Sequence, residues 1–399
     1  MKSLLYLTLS ALAFSGCRCS EKAAAPGPPD ASLPGSCAAA PDTFSAVTFN
    51  AADAPGINEL ATRREAALVE SLRQALAEDD IVCLQEVWLT ATVERILQAV
   101  DLPPANTLTA DTRGLHEDPL DVCAEGELGG LAECVRANCD PADEEMSICA
   151  VDSCKPSLLK LYWLHRRCFN CAAASIGRPL DEALDTCYGT GASRIYGGAN
   201  GVMLLSRRPL LDPEVLDLPS SGGNRVVLMA RVDFGGGHVA EVGCTHLTSK
   251  QHGSPTDGRF RDWEAEISAQ FRMADERLRA RAQGQPVLFV GDMNFGPAGA
   301  AWQEEAVAVW NQAVAAGYGS PAALVRPPIC SVCPENTLRL GRPPRLVDHV
   351  LLRTGDSGAR LEPVCAERLF TAPVVLDDGP AVTTHLSDHY AVRVRWRWR

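Results

Sequence analysis

Short apolar runs that end in polar side chains recur along this chain of 399 residues. FSAVTFN, IVCLQEVW and PVLFVGDMN each have the length of a strand, and HLSDHYAV joins polar residues to the start of another apolar run. Runs that are apolar at consecutive positions are typical of strands buried on both faces of a sheet. The pattern therefore predicts buried strands with chemically competent side chains at their ends.

Two other segments have helical periodicity. Apolar residues at near-helical spacing follow Asn50 and precede the next apolar run, which predicts a strand, helix, strand unit. A long helix is predicted from Asp262 to about Ala282. Strands and helices mixed in this order predict a layered α/β or α+β sandwich. Further strands are predicted at Asn200 to Ser206, Val226 to Phe234, Val239 to His246, Val287 to Gly291, Leu346 to Leu352 and Tyr390 to Trp398.

The N-terminus has the three parts of a secretory signal. Met1 and Lys2 precede an apolar stretch that is too short to span a membrane, so residues 1–16 are interpreted as a signal peptide of an exported chain. The small residues before Cys17 resemble a bacterial lipoprotein signal, which predicts membrane association through a lipid on Cys17; a plain signal peptide is the alternative. Residues 17–41, rich in Ala, Pro, Gly and Ser, are predicted to be a disordered tether.

Sixteen cysteines in an exported chain predict disulfides. Eight of them lie between Cys123 and Cys187, an even set that could close on itself. If Cys17 carries lipid, at least one other cysteine stays unpaired in the monomer, and the candidates are Cys19, Cys83 and Cys244. A split zinc site from the two C-x-x-C pairs is disfavoured by oxidising conditions.

Residues 111–190 interrupt the predicted catalytic domain, which spans residues 42–399. This stretch has seven Lys or Arg against fifteen Asp or Glu, so 7 − 15 = −8 of the formal charge of −13 lies in it. Its cysteine spacing predicts a disulfide-rich, mainly helical insert. A rigid surface elaboration and a substrate-recognition lid are both open interpretations.

Carboxylate, amide and imidazole groups follow the apolar runs. Magnesium-type ions prefer oxygen ligands and imidazole transfers protons near neutral pH, so the set indicates phosphoester hydrolysis. A lone Glu86 after a buried strand is costly unless it is paired or bound to a cation, and an ion pair with arginine is the alternative. Asp292 and Asn294 project to the same side of an extended segment, unless they only form a turn. His246 and His389 could act as acid and base on a phosphate.

The ordered motifs TFN, LQEVW, ANGVMLLSRRPL, GCTHLTS, VGDMN, LVDHVLL and LSDHYAV resemble the endonuclease/exonuclease/phosphatase superfamily, which includes deoxyribonuclease I and neutral sphingomyelinases. The resemblance covers about residues 42–110 and 190–399. It implies a four-layer α/β/β/α sandwich of two mixed sheets flanked by helices.

The resemblance also implies roles for individual residues. Glu86 is the main carboxylate ligand of a divalent cation, Asn50 is a further oxygen donor, and Asp388 belongs to the metal and active-site network. Asp292 activates the attacking water, and Asn294 holds the phosphoryl oxygens.

For the remaining positions, the resemblance makes Asp348 the partner that orients His389, and His246 the group that protonates or stabilises the leaving side. The expected cofactor is Mg²⁺, with Mn²⁺ or Ca²⁺ as alternatives. In-line attack by water would transfer a proton to Asp292 or His389.

The substrate is a phosphodiester, either a phospholipid or a nucleic acid. Trp88 stands where nucleases of this kind usually have arginine, which favours a sphingomyelinase or phospholipase C type of diester. The acidic insert would repel nucleic acid if it lay near the cleft. A secreted nuclease and a catalytically silent surface-binding protein remain alternatives, and a monomer is expected. The C-terminal RVRWRWR predicts an outer strand with one apolar and one solvated basic face, or a site for phospholipid headgroups or nucleic acid.

Overall fold

The computed structural model describes residues 32–399 apart from 39, 41, 55–57, 59, 111–122, 142–145, 166–167, 170, 173–174, 176–178, 189–197, 222, 251–255, 257 and 357–359. The predicted signal peptide, Cys17 and Cys19 lie outside the described residues, and so do both junctions of the predicted insert. Within the described part, no helix is both long enough and apolar enough to cross a membrane.

The strands alternate with helices along the chain, as the apolar pattern predicts. The strands are β1 (Phe44–Asp53), β2 (Ile81–Leu89), β3 (Thr107–Thr109), β4 (Gly198–Ser206), β5 (Leu210–Leu218), β6 (Arg225–Asp233), β7 (Val239–His246), β8 (Val287–Asp292), β9 (Asp348–Arg353), β10 (Leu361–Leu369), β11 (Val374–Leu376), β12 (Val382–Thr384) and β13 (Ala391–Trp398). The α-helices are α1 (Ala61–Leu76), α2 (Thr90–Val100), α3 (Gly129–Asn138), α4 (Met146–Ser153), α5 (Lys155–Leu164), α6 (Leu180–Tyr188), α7 (Trp263–Ala282) and α8 (Val307–Ala315).

Two mixed sheets form the centre of the fold. The first has the strand order β10-β13-β1-β2-β4-β3, and the second has the order β5-β6-β7-β8-β9. Because side chains alternate between the two faces of a strand, Ala46 of β1 packs between the sheets, whereas Val47 and Phe49 pack on the outer side. Leu288 and Phe289 of β8 divide in the same way between the inner and outer cores.

The outer faces are covered by helices. Leu68 and Leu72 of α1 pack against the first sheet, and Ile267 and Phe271 of α7 pack against the second. Asp262 caps α7 by accepting a hydrogen bond of 2.8 Å from the Ala265 amide. The predicted four-layer α/β/β/α sandwich is confirmed.

The insert is helical and closed by its own disulfides, as predicted. Helices α3, α4, α5 and α6 are joined by bonds between cysteines of the insert alone: Cys123–Cys168, Cys134–Cys154, Cys139–Cys149 and Cys171–Cys187. The even set of eight cysteines therefore pairs within itself.

The proposal that Cys83 or Cys244 is unpaired is wrong. The two residues lie on facing strands of the two sheets and are bonded to each other across the interior. Cys330 and Cys333 are also bonded to each other, so neither C-x-x-C pair offers thiolates for a split zinc site. Such a number of disulfides indicates an exported protein.

The last part of the predicted tether is fastened to the catalytic domain. The Leu33 amide donates to the Leu324 carbonyl over 3.0 Å, and Cys37 is bonded to Cys365 of β10. A free tether could therefore extend only to residue 32.

The prediction that RVRWRWR forms an outer strand is wrong. Strand β13 lies between β10 and β1, so both of its edges are hydrogen-bonded. Trp396 packs in the core between the sheets, as expected for the apolar face. On the opposite face, Arg393 is buried and pairs with Asp79 at 2.7 Å and with Glu367 at 2.9 Å, so its charge is neutralised within the protein.

Candidate active site

The ends of six segments meet at one edge of the sandwich. In the second sheet, β7 and β8 are parallel and β9 is antiparallel to β8, so His246 pairs with Asp292, and Asp292 with Asp348. In the first sheet, β1 and β2 end beside each other with Asn50 and Glu86. The loop before β13 brings in Asp388 and His389. Seven of the eight predicted site residues are thus located at or near strand ends or in this loop, and the eighth, Asn294, follows β8 by two residues.

The backbone is irregular where the functional side chains lie. The register shifts after Asn50 in β1 and after Leu84 in β2, which marks bulges at the ends of both strands. Glu86 has φ 56° and Asn294 has φ 49°, a region that non-glycine residues seldom occupy and that is frequent at functional sites. A Cβ on Gly291 would lie 2.0 Å from the Thr245 carbonyl oxygen, so only glycine lets β8 approach β7 there.

Asn50 connects the two sheets. Its Nδ2 donates to Glu86 Oε1 and to Asp292 Oδ2, each over 3.0 Å, while its Oδ1 accepts a hydrogen bond of 3.0 Å from the Ala52 amide. The amide therefore holds the two carboxylates together, with its oxygen engaged by the backbone. Its role as a metal ligand stays a prediction that requires the amide to turn.

Asp348 and His389 form a buried pair. His389 Nδ1 lies 2.7 Å from Asp348 Oδ2. Burial alone would lower the pKa of His389, but the negative charges of Asp348, Asp388 and Asp292 raise it to about 10, so the ring is protonated at neutral pH. Asp348 is thus placed to orient His389, as the sequence predicts.

Asp292 is held beside this pair. Burial and repulsion from Asp348 raise the pKa of Asp292 to about 7. The Asn294 amide donates to Asp292 Oδ1 over 3.0 Å, and Asn294 Nδ2 donates to the Leu247 carbonyl over 2.9 Å. A carboxylate with a pKa near 7 can accept and release a proton near neutral pH.

His246 is a neutral imidazole. Its Nε2 lies 3.6 Å from Asp292 Oδ2, and burial together with the positive charges of Arg225 and His389 holds its pKa well below the usual value. Its Nδ1 is buried without a hydrogen-bond partner among the described residues. An unpartnered buried nitrogen in a cleft is available to a substrate oxygen.

Glu86 and Asp388 lie on the other side of Asn50. Burial and repulsion from Asp388 raise the pKa of Glu86, and among the described residues Glu86 makes no ion pair with arginine or lysine. Although burial alone would raise the pKa of Asp388, His389 and Arg339 hold it below the usual value, and Arg339 forms an ion pair with it.

These donors fit a divalent cation. A half-buried carboxylate without a cationic partner, beside further carboxylate and amide oxygens, is the ligand set that hard cations prefer. Asp292, Asp348 and His389 also have ligand atoms within 4.8 Å of one another, but His389 Nδ1 and Asp348 Oδ2 are engaged with each other. The role of Glu86 as the main carboxylate ligand stays a prediction with which this arrangement is compatible.

The structure adds residues that motif reading missed. Arg225, at the start of β6, lies with its guanidinium 5.9 Å from the Trp88 ring centroid, and its charge acts on both Glu86 and Asp292. Trp88 packs over Gly201, where a Cβ would lie 2.6 Å from the ring, and its centroid is 6.4 Å from that of His246. Arg225 follows the sequence Gly-Gly-Asn and carries no sequence signal of its own.

Ser331 is a second missed residue. Its hydroxyl accepts hydrogen bonds from the amides of Val347 (3.1 Å) and Asp348 (3.2 Å), and its carbonyl accepts from the Tyr390 amide over 2.8 Å. It therefore fixes the chain next to both members of the Asp348–His389 pair. The Cys330–Cys333 disulfide closes the short loop that carries it.

Comparison with known proteins gives consistent results. A model of the Endonuclease/Exonuclease/phosphatase family matches residues 47–389. No curated protein matches the sequence significantly. Similar solved structures include sphingomyelinase C from Streptomyces griseocarneus (18% identity, 89% of this chain and 99% of that chain, TM-score 0.51). They also include SmcL (13%, 90% and 100%, 0.53) and a beta toxin from Staphylococcus aureus (11%, 88% and 99%, 0.53). At these identities, the likeness shows a common fold.

Proposed function

The chain belongs to the endonuclease/exonuclease/phosphatase family, whose members hydrolyse phosphoester bonds and generally use divalent metal ions, and from this premise we propose that it is an exported, Mg²⁺-dependent phosphodiesterase of the sphingomyelinase or phospholipase C type. The family match includes every predicted site residue and all strands of the two sheets except β13 and the first residues of β1. The reaction class follows from the family, whereas the metal, the diester and the lipid substrate are the proposal.

One observation carries the proposal most directly. Asn50, from the first sheet, donates to both Glu86 and Asp292, so the predicted cation ligand and the predicted base lie on either side of one amide. A phosphate that reaches Glu86 would therefore also lie near Asp292. Convergence of this kind places the reacting groups in position before substrate binds.

Each of these side chains has a separate role in the proposed reaction. A divalent cation at Glu86, with Asp388 and Asn50 as further predicted donors, would supply charge neutralisation at the phosphate when bound. Asp292 accepts the proton of the attacking water, because its pKa near 7 leaves it sufficiently basic. Protonated His389, fixed through Nδ1 by Asp348, stabilises the developing negative charge. Neutral His246 donates a hydrogen bond to the leaving oxygen, and the proton that this oxygen takes up is the one that Asp292 received from water.

The wall beside Glu86 supports a lipid diester. Trp88 is half-buried there and packs closely over Gly201, which gives the cleft an aromatic side. Arg225, next to Trp88, is suited to one substrate phosphate group. A sphingomyelinase C is among the proteins with this fold, which is compatible with such a substrate.

Location follows from the cysteines and the N-terminus. The disulfides indicate an oxidising compartment. The sequence before Cys17 supports a lipid anchor at the cell envelope, where membrane-bound substrate would be within reach.

The test is a panel of substrates with and without metal. The purified chain is incubated with sphingomyelin, phosphatidylcholine, plasmid DNA and RNA, in Mg²⁺ or in EDTA. The proposal expects metal-dependent release of choline phosphate, with Glu86→Gln reduced to background and the exposed Glu94→Gln unchanged. If the candidate active site catalyses the release of choline phosphate, Asp292→Asn should abolish this release as well.

The other outcomes identify the alternatives. Nicked plasmid without lipid cleavage would support a secreted nuclease, and cleavage of nothing under any metal would support a surface-binding protein. Either result contradicts the proposal.

A further inference from the structure

Helix α5 of the insert presents large apolar side chains to solvent. Leu159 is 47% exposed, Trp163 is 65% exposed and Leu164 is 66% exposed. Leu159 and Trp163 are four residues apart and so lie next to each other along the helix, and Leu164 follows Trp163 on the same exposed half; with Lys155 and Lys160, which are also exposed, they form the surface here called the α5 face. Exposed apolar groups that are clustered, rather than scattered, indicate a binding surface.

The charges of the insert are segregated along the sequence. Residues 153–180 contain five of the seven basic residues and none of the fifteen acidic ones, which leaves two basic and fifteen acidic residues in the rest of 111–190. An acidic insert thus carries one basic and apolar segment. Lys and Arg next to Trp and Leu are typical of a surface that lies at the boundary between water and anionic lipid headgroups.

Disulfides hold the α5 face in a fixed conformation. Cys154, directly before α5, is bonded to Cys134 of α3, and Cys168, shortly after it, is bonded to Cys123. Leu161 on the inner side of α5 is buried in the core of the insert. The outward side chains are therefore presented without an ordering cost on binding.

The insert joins the fold at the catalytic edge. It leaves after β3, whose last residue, Thr109, pairs with Met203, and it returns at Gly198, which pairs with Leu89 just beyond Glu86. The nine residues 189–197 could span at most about 30 Å. The last described helix of the insert, α6, therefore ends within about this distance of Gly198.

We propose that the α5 face docks on a phospholipid surface and brings the cleft to its substrate there. The link between docking and catalysis rests on the proposed lipid substrate. The docking itself is argued from the exposed side chains and the segregated charge. Nucleic acid fits less well, because Leu159, Trp163 and Leu164 offer apolar area rather than phosphate contacts, and the net negative charge of the insert opposes a polyanion. A phospholipid surface can bury the apolar side chains at the headgroup boundary and attract the lysines to anionic headgroups.

The test measures vesicle binding separately from catalysis. The full chain with Cys17→Ser, which cannot be lipidated at that position, is sedimented in EDTA with vesicles of phosphatidylcholine alone or mixed with phosphatidylglycerol. Trp163→Ser with Leu164→Ser should lower partitioning about tenfold or more, since it removes most of the apolar area of the face. Lys155→Glu with Lys160→Glu should abolish the preference for phosphatidylglycerol. Val314→Ser, a half-exposed apolar position on α8, is the matched control and should bind as the parent does.

Activity then separates the two proposals. The Trp163 and Leu164 variant should keep the parent rate on a water-soluble phosphodiester and on monomeric lipid, and lose rate only on vesicles. The docking proposal would be overturned if this variant bound vesicles as the parent does. It would also be overturned if the parent bound DNA but not vesicles, even if lipid is cleaved. A shift from dimer to monomer on mutation would also overturn it, by identifying a second copy as the occupant. If vesicles are bound through α5 but only nucleic acid is cleaved, the docking stands and the proposed substrate fails.

Discussion

His389 and Asp348 meet across the two sheets, with His389 Nδ1 2.7 Å from Asp348 Oδ2. Asp348 begins β9 of the second sheet, whereas His389 precedes β13 of the first. Asn50 and Asp292 bridge the same two sheets at 3.0 Å. The relative position of the sheets therefore sets the geometry of the site.

Replacing Asp348 by Asn tests the pair. The variant keeps the shape of the side chain but removes the charge that keeps His389 protonated and oriented, so we expect kcat to fall about 100-fold or more with little change in KM. Steady-state kinetics measures the change, with the exposed Asp356→Asn as the control. A variant with parent kcat would show that the pair has no part in the reaction.

Replacing Ser331 by Ala tests how the pair is positioned. Two buried amides would lose their acceptor, and we expect kcat to fall about tenfold. Ser331→Thr, which keeps the hydroxyl, should retain most of the activity. The decisive comparison is a double-mutant cycle: Ser331→Ala should have little further effect in the Asp348→Asn background. Full additivity would mean that Ser331 acts independently of the pair.

Removing the disulfide between the sheets tests their coupling. Cys83→Ala with Cys244→Ala opens a loop with a sequence separation of 161 and should lower the free energy of unfolding by about 3–5 kcal/mol in chemical denaturation. The matched control is Cys139→Ala with Cys149→Ala, which lie within the insert and should leave the unfolding of the catalytic domain unchanged. Equal losses from both pairs would contradict a specific role between the sheets.

His349 predicts a pH dependence of stability. Burial lowers the pKa of this core histidine from 6.5 to about 4, so below pH 6.5 the unfolded chain takes up a proton that the folded chain does not. The free energy of unfolding therefore has its full value above pH 6.5. It falls by up to about 3 kcal/mol as the pH falls toward 4. Urea unfolding of the parent and of His349→Gln should give curves that diverge over this range. Parallel curves would refute the assignment.

The sequence predicted most of the fold because its strands are apolar on both faces. β7 begins and ends where the pattern placed it, at Val239 and His246, and α7 starts directly after the predicted Asp262. The centre of the site was also predictable, since Glu86, Asp292, His246 and His389 stand next to strongly apolar runs. Their convergence follows from the strand order, which local periodicity does not contain.

Other features could not be predicted, for physical reasons. Arg225 and Ser331 act through contacts with residues distant in sequence, and neither stands in a motif. The pairing of Cys83 with Cys244 depends on two sheets facing each other. The burial of Arg393 depends on Asp79 and Glu367, two carboxylates from other elements that make a basic position acceptable inside the protein.

Metal binding at Glu86 tests the central claim most directly. Isothermal titration of the metal-free chain with Mg²⁺ or Mn²⁺ should show binding that weakens at least about tenfold in Glu86→Gln, because the main carboxylate donor is lost. Glu94→Gln should bind as the parent does. Equal affinity in the parent and Glu86→Gln would contradict the account, since the carboxylate beside Asn50 would then have no role in holding the cation.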